Sequence, residues 1–135
     1  MIGKKTIVAG TLVAAITALA WTPVQDKKLA ESKARGKALY EELCITCHLA
    51  DGKGMPGAIP PLTKSSYMKN ITKVIQAVKF GLSDPIEVNG VKYSTPMPSP
   101  NISDEEVADV VTYITNSWGN KGKLITAKEV EKVKQ

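Results

Sequence analysis

The chain has one histidine (His48), one arginine (Arg35) and two cysteines (Cys44 and Cys47) in 135 residues. A single arginine among scattered lysines gives no basic stripe with guanidinium forks for phosphate, so nucleic-acid binding is not expected. Long hydrophobic runs are also scarce. The one uncharged stretch at the start, Thr6 to Ala20, has 15 residues. A spanning helix wants about 20. That stretch follows a short basic start with Lys4 and Lys5 and ends in Ala18-Leu19-Ala20, a small-x-small exit. Residues 1–20 therefore read as a secretory signal peptide. The alternative is an uncleaved N-terminal anchor, with membrane association through residues 1–21 and with Trp21, Lys27 and Lys28 as its interfacial flank. There is no cysteine near Ala20, which argues against a lipid-attached terminus. Without residues 1–20 the net charge drops from +5 to +3, the balance of a solvated lysine-rich surface. No internal repeat is visible. Residues 21–31 read as a linker and 32–135 as one domain.

Both cysteines and the histidine fall in "ELCITCHLADGKG", residues 42–54. Outside the cytoplasm free thiols tend to oxidise, so something should use them. Four uses compete. A Cys44–Cys47 disulfide would close a very small loop and stabilise little. A thioredoxin-like pair belongs in a βαβ setting, and neither flank reads as a strand. A closed zinc site wants four nitrogen or sulfur ligands, and this chain has only Cys44, Cys47 and His48 to give. The fourth use is covalent haem, the chemistry attached to C-x-x-C-H. Thiols at i and i+3 on one helix end can each add to one vinyl group of the same porphyrin, and the next residue can turn its imidazole onto the iron. One such motif means one haem. With no second histidine, the other axial ligand must be Met, Lys or nothing.

Four methionines are present. Met1 is in the export segment. Met55 is close behind His48 and poorly placed to reach the other face of a ring, and Met68 sits near a helix start. Met97 lies 49 residues beyond His48, enough chain to pass around a cofactor, with Pro96, Pro98 and Pro100 stiffening its loop. A soft neutral thioether there would favour ferrous iron, raise the potential and fill the sixth position.

The scaffold reads as helical. Residues 29–43 form a helix entering the cysteine motif, with Ala34, Ala38, Leu39 and Leu43 as its apolar stripe. Gly36 is either a tolerated surface glycine or a point of close approach for another helix. Residues 71–80 form a second helix ending at Gly81. "PIEVNGVKYS" is a hairpin with Asn89-Gly90 as a type I′ turn. Residues 103–119 form a third helix, opened by Ser103 and Glu106 at capping-box spacing and carrying Val107, Val110, Val111, Ile114 and Trp118. Thr126 and Glu129 repeat the cap spacing ahead of a short final helix with Val130 and Val133.

Gly36 and Tyr40, "CITCH", Pro60-Pro61-Leu62, Met97-Pro98 and the capped helix with Tyr113 together resemble the class I c-type cytochromes, in order from about residue 34 to 119. "GLSDPIEVNGVKYSTPMP" and "YITNSWGN" are similar to the cytochrome c domains that accompany membrane-bound dehydrogenases and haem-copper oxidases. The resemblance implies a small, mainly α cytochrome c fold. Three main helices would surround one covalently attached haem c, with a short hairpin before the Met97 loop. It implies that the Gly36 helix crosses the Tyr113 helix. It also implies that the Pro60 or Pro61 carbonyl orients His48 and that Leu62 packs on the ring. Arg35 lies away from these motifs, so the haem propionates fall to other residues, with Tyr93, Tyr67 and Trp118 as candidates beside ordinary packing. The function implied is a periplasmic monohaem electron carrier, not an enzyme. It would work between redox protein partners such as a dehydrogenase, a cytochrome complex or a terminal oxidase. Lys53 is either a contact for an acidic partner or simply solvated. A haem-based ligand sensor or small peroxidase with a labile Met ligand is the alternative.

Overall fold

The computed structural model describes residues 23–135. The expected signal or anchor, residues 1–20, lies outside the described residues. Among those described, no helix is long and apolar enough to cross a membrane.

The first helix, α1, runs Pro23–Leu43. Residues 23–31, expected within a linker, are helical. No glycine or further proline interrupts the chain before Gly36, and Lys27 and Glu31 face each other one turn apart. The expected apolar stripe is also different. Ala34 and Ala38 are exposed, and Leu39 is half-buried. The buried line is Ser32, Gly36 and Tyr40, at i, i+4 and i+8. A partner helix selects that face.

The partner is α4, Asp104–Thr115, and α1 against α4 is the most extensive packing in the molecule. A Cβ on Gly36 would fall on the Asp109 carbonyl and lie 2.9 Å from Tyr113 Cβ, so only glycine admits this approach. Asp109 sits in the buried face of α4. Its carboxylate accepts from Ser32 Oγ at 2.6 Å and from Arg35 Nε and Nη2 at 2.6 and 2.8 Å. The lone arginine therefore ties the two helices together with a fork geometry that lysine could not supply.

Helix α4 opens with the expected reciprocal cap between Ser103 and Glu106. It stops at Thr115 rather than at 119. Asn116 and Ser117 turn their side chains back onto the Thr112 and Tyr113 carbonyls, competing with further helix. Trp118 then adopts a positive φ of 52° and folds against Tyr40 and Tyr113, with ring centroids 5.2 and 5.6 Å away.

Helix α2 is the single turn Ile45–His48, and α3 is Ile71–Phe80, capped by the Asn70 side chain and ended at Gly81. Strands β1 (Ile86–Val88) and β2 (Val91–Tyr93) pair antiparallel. Asn89 and Gly90 between them both have positive φ, as a type I′ turn requires. Helix α5, Ala127–Glu131, carries the Thr126–Glu129 cap and buries Val130. Val107, Val110, Val111 and Ile114 meet Val74, Ile75 and Val78 of α3 and Ile125 of the C-terminal segment in one core. The result is a mainly α fold in which α1, α3 and α4 frame a cavity, with a short hairpin ahead of Met97.

Candidate functional site

The cavity is an open slot of ≈ 200 Å³. Cys44, Cys47 and His48 line it from the α1–α2 junction, and Met97 and Pro98 line it from the loop ahead of α4. Leu62, Val74, Val78, Val110 and Ile114 supply apolar walls. Among the described residues no aspartate, glutamate, lysine or arginine lines it. Leu43 is 43 % exposed and also lines the slot.

The start of α2 places the thiols. Cys44 N–H still bonds the Tyr40 carbonyl of α1, and the following turn brings Cys47 and His48 round. Both cysteines are free, Cys44 half-buried and Cys47 exposed. Burial, with help from Cys47, pushes the Cys44 thiol up to about 11. His48 is only 8 % exposed. Burial lowers its pKa below the ordinary value, against the opposing pull of the Pro60 carbonyl. Its Nδ1 lies 3.3 Å from that carbonyl. The arrangement suits a neutral ring whose Nδ1–H donates to Pro60, leaving the Nε2 lone pair for a metal.

The loop after His48 holds Pro60 in place. Gly54 N–H bonds the His48 carbonyl, and Leu62 N–H bonds the Gly52 carbonyl at 2.7 Å. Gly54 has φ +63°, and a Cβ there would run into the Ile59 and Pro60 carbonyls. Pro60 is therefore the residue beside His48. Pro61 and Leu62 line the cavity without that bond.

Met97 is half-buried, and its backbone N–H and C=O both pair with Leu82, at 2.9 and 2.8 Å. Met55 is exposed and off the cavity, its backbone tied to Ile59. Met68 does line the cavity, a position the sequence did not single out. Of the aromatic candidates, Tyr67 lines the cavity, Tyr93 is buried away from it, and Trp118 Nε1 donates to the Ala50 carbonyl. Lys53 pairs with Asp51 at 2.8 Å.

The competing uses of the thiols find little support here. The cysteines are not bonded to each other, and the two strands belong to the hairpin far along the chain. Among the described residues no group of three His, Cys, Asp or Glu side chains is placed to hold a metal ion. A planar apolar cofactor with one imidazole and one thioether ligand fits the donor set and the slot. The Arg35–Asp109 lock and the Tyr40–Tyr113–Trp118 cluster were not foreseen. The one available signal was an aspartate, Asp109, amid the apolar positions of the third helix.

The Cytochrome c family profile matches residues 33–118. A cytochrome c-552 from Thermus thermophilus is 35 % identical over 119 residues, covering 78 % of each chain. The cytochrome c subunit of a quinone alcohol dehydrogenase from Gluconacetobacter polyoxogenes is 33 % identical over 73 % of this chain, which spans 22 % of that protein. The cytochrome c subunit of a gluconate 2-dehydrogenase from Pantoea cypripedii is 31 % identical over 74 % of this chain and 24 % of its own length.

Proposed function

The chain belongs to the cytochrome c family of covalent haem c proteins, and we propose that Cys44 and Cys47 form the two thioethers while His48 and Met97 ligate the iron. The observation that carries this reading is the meeting of all four side chains on one uncharged cavity. The protein's role is monohaem electron transfer. The haem supplies a one-electron Fe(III)/Fe(II) couple. The chain's residues set its conditions. Pro60 fixes the plane and tautomer of His48, so the imidazole need not reorient when the charge changes. Met97, on its tethered loop, would supply a soft thioether ligand, which would favour the reduced state. Apolar walls without charged side chains keep water and counter-charge away, which also favours the less charged reduced site.

The working context is proposed from the relatives and the sequence together. The N-terminal signal would export the chain to the periplasm, with retention at the inner membrane if residues 1–21 stay attached. The electron would pass between redox proteins: the names of the dehydrogenase subunits suggest a partner of the dehydrogenase kind, and the sequence resemblance adds a cytochrome complex or a terminal oxidase. The chain then acts as a carrier rather than an enzyme. The testing experiment is a pair of visible spectra on protein exported by a host that attaches haem. Sharp reduced c-type bands with a weak far-red sulfur-to-iron band in the oxidised form are expected. Haem bands without the far-red feature would overturn the Met97 assignment and favour a sensor or peroxidase. No haem would overturn the reading as a whole.

A further inference from the structure

The loop from Met97 to Ser103 carries the sulfur assigned to the iron, and its own main chain does little to hold it. Past the Met97–Leu82 bridge no main-chain to main-chain bond anchors residues 98–102, and Pro98 and Pro100 have no N–H to give. The restraint comes from the end of α3. Gly81 has φ +77°, and a Cβ there would lie 2.5 Å from the Met97 carbonyl oxygen and 2.8 Å from the Ser99 nitrogen, so the loop rests on bare backbone. Ser99 Oγ donates to the Lys79 carbonyl at 2.9 Å and accepts from Asn101 N–H at 3.2 Å.

Lys79 is the residue where these restraints meet. Its carbonyl holds the middle of the loop through Ser99. Its ammonium pairs at 2.8 Å with Asp104, where the loop ends and α4 begins, and donates at 3.3 Å to the Val130 carbonyl of α5. The Lys79 and Asp104 side chains are only 19 % and 27 % exposed. Of the ion pairs among the described residues, this is the one with both partners so well covered. Lys79 does not line the cavity, so any effect it has on the iron passes through the loop. Val130 lies beyond residue 118, the end of the region matched to the family. That C-terminal segment is itself seated by the buried Val130 and Val133 and by Ile125 N–H, which donates to Thr112 Oγ1 at 2.9 Å.

Resting on the assignment of Met97 to the iron, we propose that Lys79 is a positioning residue for that ligand. By joining α3, the start of α4 and α5, its side chain fixes the exit of the Met97 loop, and its carbonyl fixes the middle. A loop released at its exit presents the thioether from a wider spread of positions. The effective concentration of the tethered sulfur falls, and an outside ligand competes better.

The test is imidazole binding to the oxidised haem protein, read by loss of the far-red sulfur-to-iron band, with urea unfolding measured in parallel. Lys79→Gln removes the charge and keeps most of the stem. It should raise imidazole affinity about tenfold, the worth of one lost charge-assisted bond. Asp104→Asn and Ser99→Ala leave Lys79 in place and should raise the affinity in the same direction. Arg35→Ala breaks the α1–α4 tie instead; it should cost stability and leave imidazole affinity unchanged. Affinity unmoved in both Lys79→Gln and Ser99→Ala would overturn the proposal. So would gains that follow lost stability equally in Arg35→Ala, because Lys79 would then serve the fold alone. Should Lys79→Gln not fold, Asp104→Asn and Ser99→Ala decide. A wild-type protein without the far-red band defeats the Met97 assignment itself. A wild-type protein with the band and an unmoved Lys79→Gln defeats only the positioning role.

Discussion

Gly36→Ala is the most demanding test of the helix crossing. In an exposed helix this exchange stabilises by about 1 kcal/mol, because alanine is the better helix former. Here the new Cβ would lie 2.5 Å from the Asp109 carbonyl carbon and 2.9 Å from Tyr113 Cβ. Carbon atoms prefer about 3.5 Å or more. The helices must therefore part by about 1 Å at their tightest point, and overpacking of this kind costs roughly 1–3 kcal/mol. Parting also stretches the Ser32 and Arg35 bonds to Asp109, now 2.6 to 2.8 Å long. Weakening hydrogen bonds to a charged group adds about 1.5–3 kcal/mol. Set against the propensity gain, the net loss is about 1.5–5 kcal/mol, roughly a 10- to 5,000-fold shift in the folding equilibrium. Urea unfolding of the haem protein, followed by Trp fluorescence and haem absorbance, reads it directly. Combining Gly36→Ala with Arg35→Ala should cost less than the sum of the two, because the ion pair is already strained in the first variant. A neutral or stabilising Gly36→Ala would show that the two helices do not meet here.

Three further outcomes are expected. Met97→Ala should abolish the far-red band, lower the potential by on the order of 100 mV, about 2 kcal/mol of lost preference for Fe(II), and admit imidazole to the iron; unchanged spectra and potential would remove Met97 from the sixth position. Gly54→Ala should cost roughly 1–3 kcal/mol through its strained φ and should shift the potential, because the Pro60 carbonyl is displaced from His48; a loss of stability with an unchanged potential would uncouple Pro60 from the iron. Glu106 is held below the usual carboxylate range by the Ser103 N–H and hydroxyl, and Glu129 is held low first by Lys123. Their folded pKa values are depressed, so this stabilisation is complete above pH ~4.3 and fades as pH falls through the folded values. Ser103→Ala should flatten that acid limb in a thermal-melt series, and an unaltered limb would assign the acid loss elsewhere.

The parts of the fold written in local chemistry were open to reading. Both capping boxes, helix 71–80 and the Asn89-Gly90 turn appear where residue type and spacing put them, because each is decided by bonds within a few residues. The face of α1 was not open in this way. Alanines and leucines outline one stripe, but Asp109 and Tyr113, some 70 residues away, select Ser32, Gly36 and Tyr40 instead. The early end of α4 depends on three polar side chains folding back on carbonyls, which helical periodicity does not register. The haem motif was visible because covalent attachment needs fixed spacing. Met68 on the cavity wall was hidden, since a methionine at a helix start carries no mark of its surroundings.

The paired backbone of Met97 and Leu82 has a kinetic consequence. With both main-chain groups of Met97 tied down, release of its sulfur from iron, in the proposed role, requires only a side-chain rotation, and the loop can stay in place. The departed thioether then remains within reach of the iron, at the high effective concentration of a tethered ligand. In that role any diffusing molecule that seeks the iron would have to outcompete the returning sulfur, and the short strand bridge would act as a gate without moving parts of its own.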